Sequence, residues 1–229
     1  MQAGNTASYD GYQYALFPID YLKCNQSFGH GTYSHCCGCP QDWGYPGSDV
    51  YHPYYAPCDC HRIHTYAANG QTIYTSDNPV WTPSGLKYIS FLFAHDNNIP
   101  AQTNFHQGEL IGHMGTKATS GLLTGAHLHL DQSLKKDSGL VNYGICDGYT
   151  CWAIGNAAPA NTVFYLYGNE TIVSTCGFKF ETVPAQPEPP EPPEPPATGS
   201  GAVKLLLLYG IEKKRRSNNG RIKRNTILL

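Results

Sequence analysis

Two histidines near the middle of the chain have the spacing of metal ligands on a β-strand. They lie in residues 124–131, which read Thr-Gly-Ala-His-Leu-His-Leu-Asp. Alternate residues of a strand point to the same face, so His127, His129 and Asp131 would share one face, with the two leucines between them pointing into a core. Two imidazoles fixed on one strand could bind a metal ion that keeps open coordination positions.

Three more polar residues upstream could complete a site for hydrolysis. His35 and Asp42 lie early in the chain, and His95 ends an apolar run. A hydrolytic zinc site needs three protein ligands and a bound water, whose pKa the metal lowers to about 7. Imidazoles that do not bind the metal can take up and return the proton. The histidine pair, with these three residues, could therefore supply three ligands and two groups that act on the substrate.

Short motifs surround these residues. Residues 115–125 are rich in glycine and lead into the His-x-His strand, and residues 108–112 read Gly-Glu-Leu-Ile-Gly. Residues 93–95 read Phe-Ala-His, and residues 55–59 read Tyr-Ala-Pro-Cys-Asp. In this order, over about residues 30–131, the motifs resemble the lysostaphin-type, or LytM-like, zinc metallopeptidases that cut peptidoglycan peptides.

The resemblance implies a role for each of the five residues. His35, Asp42 and His129 would bind zinc. His127 and His95 would assist the water and stabilise the oxyanion.

The chain departs from the commonest family pattern in two places. The spacing from His35 to Asp42 is longer than usual, as it is in family members carried on the tails of short-tailed bacteriophages. His30 is therefore an alternative first ligand, but His35 is preferred because residues 42–44 (Asp-Trp-Gly) keep their family context. The second departure is Cys60, which replaces a family glycine, so that this loop could be cross-linked instead.

The nine cysteines indicate either disulfides or a structural metal. We favour disulfides, although residues 36–39 (Cys-Cys-Gly-Cys) with Cys58 and Cys60 could hold a structural zinc. A bridge is predicted between Cys146 and Cys151, which flank a loop compatible with a turn. At least one more is predicted from the 36–39 loop to Cys58 or Cys60.

The composition favours an all-β fold of antiparallel sheets with many turns. Glycine (24), proline (17) and tyrosine (17) are abundant, and only 14% of the residues are charged. Asn69-Gly70 predicts a hairpin. Residues 86–95 are apolar on both faces, which predicts a strand deep in a sheet.

Composition also divides the chain into three parts. Residues 1–183 would form the zinc metallopeptidase domain, with residues 1–28 as an extended lead-in. Residues 184–201 begin with Pro and Glu repeats typical of a polyproline II spacer. Residues 202–229 are apolar and then basic, and hold eight of the fifteen lysines and arginines. Such an arm indicates docking, and charge alone predicts no sequence-specific contact with nucleic acid.

These observations predict a zinc endopeptidase that cleaves peptide cross-links of bacterial peptidoglycan. The N-terminus has no secretory signal and no segment is long enough to span a membrane, so a virion-borne enzyme at a phage tail tip is expected. Residues 184–229 would bind other virion tail proteins. The alternatives are an endolysin released through a holin, and a structural tail protein or inactive wall-binding module of the same fold.

Overall fold

The computed structural model describes residues 4–20, 23–29, 35, 38–44, 51–118, 125–146, 148–168 and 176–184. Nearly all regular structure in these ranges is β, and every pair of named strands is antiparallel, which confirms the predicted all-β fold. The elements in chain order are β1 (Ser8–Tyr9), β2 (Tyr12–Gln13), β3 (Lys23–Gln26), β4 (Gln41–Gly44), β5 (Pro53–Tyr55), β6 (Cys60–Tyr66), a 3-10 turn (Ala67–Asn69), β7 (Gln71–Ser76), β8 (Val80–Thr82), β9 (Gly85–Lys87), β10 (Ser90–Ala94), β11 (Asn104–Phe105), β12 (Leu110–His113), β13 (Leu128–Ser133), β14 (Leu140–Cys146), β15 (Tyr149–Ile154) and α1 (Ala160–Val163).

A seven-stranded sheet with the order β11-β6-β7-β10-β13-β4-β3 carries the candidate site. Its central strand β10 is buried along its whole length, as the apolar residues on both faces predicted. It is shorter than the strand predicted at residues 86–95, because residues 85–87 form β9, which pairs with β8. Phe91 and Phe93 pack into the main core on one face, whereas Leu92 and Ala94 join a smaller cluster on the other. The sheet is therefore covered on both sides at its centre, which makes it a rigid support.

The hairpin predicted at Asn69-Gly70 is confirmed. β6 and β7 pair on either side of it, with Tyr66 opposite Gln71 and a shift in register between Arg62 and His64. Gly70 ends the connecting 3-10 turn in the left-handed conformation, at a φ of 58°. A glycine adopts this conformation without steric cost, which explains how so short a turn can close the hairpin.

The predicted lead-in contributes to the core. Ala15, Phe17 and Ile19 are at most 3% exposed, and the ring of Phe17 packs edge-on against Trp43 on β4. Because Trp43 follows Asp42, this contact supports the strand that carries one of the predicted metal ligands.

The cysteines pair differently from the prediction. Cys24 on β3 forms a disulfide with Cys176. Cys58 and Cys60 are free thiols, fully buried in the main core, so the predicted bridge from the 36–39 loop to either of them is wrong. The side chain of Cys146 lies outside the described residues, and its bridge to Cys151 stays a prediction.

The predicted linker and arm lie almost wholly outside the described residues, so the proposed boundaries stay predictions. Contacts along the chain separate Met1–Gln186 from Pro187–Leu229. In the part of the chain that the structure describes, no helix has the length and apolar character needed to cross a membrane.

Candidate metal centre

His35, Asp42 and His129 come together at one end of the central sheet. One ligand atom from each lies within 4.8 Å of the other two. The Asp42 Oδ1 atom is 3.4 Å from His35 Nε2 and 3.1 Å from His129 Nδ1. Among the residues that the structure describes, no other group of three histidine, cysteine or acidic side chains is this compact.

Strand register accounts for much of this convergence. β4 and β13 are neighbours, and Asp42 lies directly opposite His129. On the other side of β13, Ala94 of β10 also lies opposite His129, so His95 follows at the same end of the sheet. Leu128 and Leu130 are fully buried in the main core. Their burial turns the alternating histidines toward the opposite face, as the spacing predicted.

His127 and His95 lie beside the three candidate ligands. The His127 Nε2 atom is 3.6 Å from Asp42 Oδ1. The ring centroids of His95 and His127 are 4.7 Å apart, and those of His95 and His129 are 5.6 Å apart. All five residues singled out by the sequence therefore meet in one cluster.

Backbone carbonyls fix which ring nitrogen carries the proton in three of the histidines. The Nδ1–H groups of His35, His127 and His95 donate to the carbonyl oxygens of Ser27, Gly125 and Lys117, over 3.1, 2.9 and 3.0 Å respectively. A carbonyl oxygen can only accept, so Nδ1 is the protonated atom and Nε2 keeps its lone pair when the ring is neutral.

Burial keeps two of the rings neutral. Desolvation, together with the nearby rings of His129 and His127, lowers the pKa of His95 to about 3. Desolvation also lowers the pKa of His129, although Asp42 opposes this effect. Both rings are therefore uncharged near pH 7, and they present lone pairs instead of positive charge.

The Asp42 carboxylate remains ionised in this cluster. Burial alone would raise its pKa, but interactions with His129 and His35 outweigh burial and hold the pKa well below its usual value. The side chains of His35, Asp42 and His129 are only 2%, 14% and 18% exposed. A buried carboxylate beside several imidazole nitrogens is an arrangement that a cation at its centre would stabilise.

The donor set fits zinc. Two imidazole nitrogens and one carboxylate oxygen are ligands that zinc prefers, and three protein ligands leave a position for water or substrate. Both histidines that are proposed as ligands are held in place. The ring of His35 is hydrogen-bonded to the Ser27 carbonyl, and His129 lies on β13, which pairs with β4 and β10. Such support orients the rings for metal binding.

Asp131 shares the face of the histidines but lies beneath β15. Its carboxylate accepts the backbone N–H groups of Ile154 at 2.6 Å and Gln132 at 3.1 Å. Desolvation raises the pKa of Asp131 to about 7, although these two hydrogen bonds act to lower it. Asp131 therefore anchors the β14–β15 hairpin to the strand that carries His127 and His129.

Other histidines lie away from the cluster or outside the described residues. His61 pairs with Asp77 at 2.6 Å, and His106 lies 3.6 Å from Asp59, both away from the cluster. The alternative ligand His30 is outside the described residues.

The cysteines that the structure describes add no ligand to this centre. Burial raises the pKa of Cys39 to about 11, so its thiol stays protonated. Cys39, Cys58 and Cys60 do not come together as the alternative structural zinc site requires.

Two buried residues close to His95 were not singled out from the sequence. The Tyr54 hydroxyl donates to Asp96 Oδ2 over 2.7 Å, and both side chains are at most 4% exposed. A carboxylate two residues after a largely apolar strand was the available signal, because such a group is buried only when it has partners.

Comparison with known proteins gives partial matches. No family model matches the chain. Morphogenesis protein 1 of Bacillus phage B103 is 35% identical over 124 residues, which are 53% of this chain and 32% of that protein. The chain thus spans about a third of the length of this relative.

Two solved structures have low overall similarity. A zinc-containing peptidase from Vibrio cholerae has a TM-score of 0.38 at 18% identity, over 55% of this chain and 41% of that one. The structure of LytU has a TM-score of 0.32 at 17% identity, over 58% of this chain and 82% of that one.

Proposed function

We propose that this chain is a zinc-dependent endopeptidase that cleaves peptide cross-links of bacterial peptidoglycan. The observation that carries the proposal is the convergence of His35, Asp42 and His129 on one point, with two further imidazoles beside it. A purely structural metal site would be closed by a fourth protein ligand and would need no basic groups at its edge.

A zinc ion held by His35 Nε2, Asp42 and His129 Nδ1 would make its bound water acidic and polarise the carbonyl under attack. The His127 and His95 rings each present an unprotonated Nε2. Either ring can accept the proton of the nucleophile, and it can then donate that proton to the leaving amine or to the oxyanion. Because burial lowers the pKa of His95, this ring is neutral before the reaction and enters it as a proton acceptor.

The proposed substrate rests on the motifs around the site, which resemble those of peptidases that cut peptidoglycan peptides. The proposed setting is a phage particle, at the tail tip, where the protein would reach the wall from outside the cell. The similarity to a phage morphogenesis protein supports this setting. We further propose that residues 184–229 bind other virion tail proteins, since their apolar and basic segments suit docking to a larger assembly.

Digestion of purified peptidoglycan tests the proposal. The protein is stripped with a chelator and assayed before and after addition of zinc, and new termini are identified by mass spectrometry. We expect new amino and carboxyl termini within the cross-links only after zinc is restored, and none with the His127→Ala variant. New reducing ends, which report cleavage of glycan, or no products at all with zinc bound, would exclude a peptidoglycan peptidase.

A further inference from the structure

His95 has a backbone conformation that histidine seldom adopts. It lies directly after β10 with a φ of 76°, in the left-handed region. A side chain with a Cβ is strained there, and such a residue persists only when its surroundings hold it firmly. Strain of this kind is found mainly at functional sites.

Backbone hydrogen bonds hold the turn on both sides. The N–H of His95 donates to Asn69 over 3.1 Å, and the N–H of Asp96 donates to Gly70 over 3.1 Å. The carbonyl of His95 accepts the N–H of Lys117 at 3.2 Å, while the carbonyl of Lys117 accepts the ring Nδ1–H. The His95 backbone and ring are thus tied to two separate loops.

The Asp96 carboxylate is the centre of a second group of hydrogen bonds. Its Oδ2 atom accepts the Tyr54 hydroxyl at 2.7 Å and the backbone N–H of His113 at 3.2 Å. Its Oδ1 atom accepts the N–H of Asn98 at 2.7 Å. Burial, followed by the charge of Asp96, raises the pKa of Tyr54 well above its usual value, so the phenol stays protonated and donates.

Three glycines pack closely against the turn at His95 and Asp96. A Cβ added at Gly70 would lie 2.0 Å from the Asp96 carbonyl oxygen, and one at Gly115 would lie 2.1 Å from the His95 carbonyl oxygen. A Cβ at Gly112 would lie 2.1 Å from Asp96 Oδ2 and 2.5 Å from the Tyr54 hydroxyl. Neighbouring loops and strands therefore leave no room for the turn to relax.

We propose that Tyr54 and Asp96 are positioning residues that hold His95 in its left-handed turn and so aim its Nε2 atom at the metal-binding cluster. Among the described contacts, none joins either residue to His35, His127 or His129, and both act through the backbone of His95. The kinetic part of this inference rests on the proposed peptidase function, whereas the orientation of the ring does not.

The Tyr54→Phe variant removes the hydrogen bond to Asp96 but keeps the aromatic ring, whose centroid lies 4.6 Å from that of Phe93. We expect kcat to fall about 10- to 100-fold, because small displacements of a reacting group have effects of this size, with KM and zinc content unchanged. The matched control is Tyr74→Phe, which removes another buried phenolic oxygen from the same core without touching the groups that bind Asp96. Equal losses of kcat in both variants would overturn the proposal.

The Gly112→Ala variant tests the same contact by a different route. Its methyl group would displace the Asp96 carboxylate and the Tyr54 hydroxyl, so the kinetic defect should match that of Tyr54→Phe. Gly139→Ala is the control, since its added Cβ would meet nothing nearer than 4.0 Å. Full kcat in a folded Gly112→Ala protein, with a melting temperature near that of the parent, would contradict the proposal.

NMR spectra of the ring nitrogens supply a readout that does not need turnover. The His95 signals are assigned by their loss in His95→Ala. We expect one Nδ1–H tautomer in the parent protein and in Tyr74→Phe, and mixed or broadened signals in Tyr54→Phe. If the parent cuts no peptidoglycan but the spectra differ in this way, the positioning role stands and the proposed function fails. If the His95 spectrum of Tyr54→Phe equals that of the parent, the positioning role is excluded.

Discussion

Asp42 has the central place in the cluster because three histidine rings face one of its oxygens. His129, His35 and His127 lie 3.1, 3.4 and 3.6 Å from Oδ1. Two of these rings have their Nδ1 protons committed to backbone carbonyls, so their free nitrogens face the carboxylate as acceptors. The arrangement is therefore suited to a cation at the centre, and His127 lies outside the compact group formed by His35, Asp42 and His129.

The first prediction separates the ligands from the groups that move protons. Substitution of His35, Asp42 or His129 by Ala should reduce bound zinc from about one per chain to a small fraction, because two ligands bind zinc weakly. Zinc content after dialysis, measured by mass spectrometry of the metal, checks this. His61→Ala is the control, since His61 lies in an exposed pair with Asp77, and it should retain the full metal content.

The second prediction concerns His127 and His95. Substitution of either by Ala should preserve zinc binding and lower kcat by about 100- to 10,000-fold, which is the usual contribution of a positioned acid or base. Metal content and peptidoglycan hydrolysis, measured on the same preparation, test both parts. Zinc loss in His95→Ala together with zinc retention in His35→Ala would reverse the roles assigned here.

At the scale of single residues, the sequence predicted which side chains would meet. The His-x-His alternation is a local property of a strand, and the order of the motifs supplied the distant partners His35, Asp42 and His95. The roles of these residues stay predictions. The sequence did not reveal the left-handed φ of His95 or the Tyr54–Asp96 pair, because both depend on close approach of β5, β12 and the turn after β6.

Among the elements, β3 and β4 form the edge of the sheet that carries Asp42. Cys24 on β3 pairs in register with Trp43, the residue after Asp42, and its disulfide ties this edge to Cys176, 152 residues later. The pairing of cysteines cannot be deduced from sequence alone, and this is why no partner was predicted for Cys176.

The third prediction follows from this disulfide. Replacement of Cys24 and Cys176 by Ser should lower the free energy of unfolding by about 2–4 kcal/mol, because the unfolded chain is no longer constrained. Urea denaturation under oxidising conditions measures the difference. A reductant should destabilise the parent more than the double variant, in which other bridges, such as the predicted one between Cys146 and Cys151, could still be reduced. Equal sensitivity of both proteins to the reductant would show that the Cys24–Cys176 bridge contributes nothing.

Sequence patterns were most reliable for elements whose neighbours in the chain determine them. The hairpin at Asn69-Gly70 and the deep strand β10 were predicted because turn chemistry and apolar periodicity are local. The β14–β15 hairpin was not predicted, although Val141, Tyr143 and Ile145 alternate with polar residues or glycine. These three side chains are exposed, so the alternation does not mark a face that packs on a core. The position of this hairpin depends on two contacts. Ile154 donates its backbone N–H to Asp131, and its side chain packs in the smaller apolar cluster with Leu92 and Ala94.

At the scale of the whole molecule, the described part of the domain has contacts as far along the chain as Val183. The N–H of Val183 donates to Leu166, and its side chain packs in a cluster with Tyr14 and Tyr165. The segment that holds Cys176 also belongs to this domain through the disulfide. A separable arm can therefore begin only after Val183.

The fourth prediction is that truncation after Val183 leaves hydrolysis intact. Every residue of the candidate centre, and every described contact that supports it, lies before this position. The truncated protein should retain its zinc and its peptidoglycan hydrolysis but fail to enter phage particles. Truncation after Gly168 is the comparison, because it removes Cys176 and Val183 and should destabilise the domain. Normal assembly of the shorter protein, or loss of its hydrolysis, would refute the docking role of residues 184–229.

Crystals of the zinc-loaded protein, measured at the zinc absorption edge, test the central claim most directly. We expect one anomalous peak per chain, coordinated by His35 Nε2, an oxygen of Asp42 and His129 Nδ1, with the remaining position open to water or substrate. A peak held by cysteines, a peak with His95 or His30 in place of His35, or no peak at this cluster in a fully loaded crystal would contradict the account.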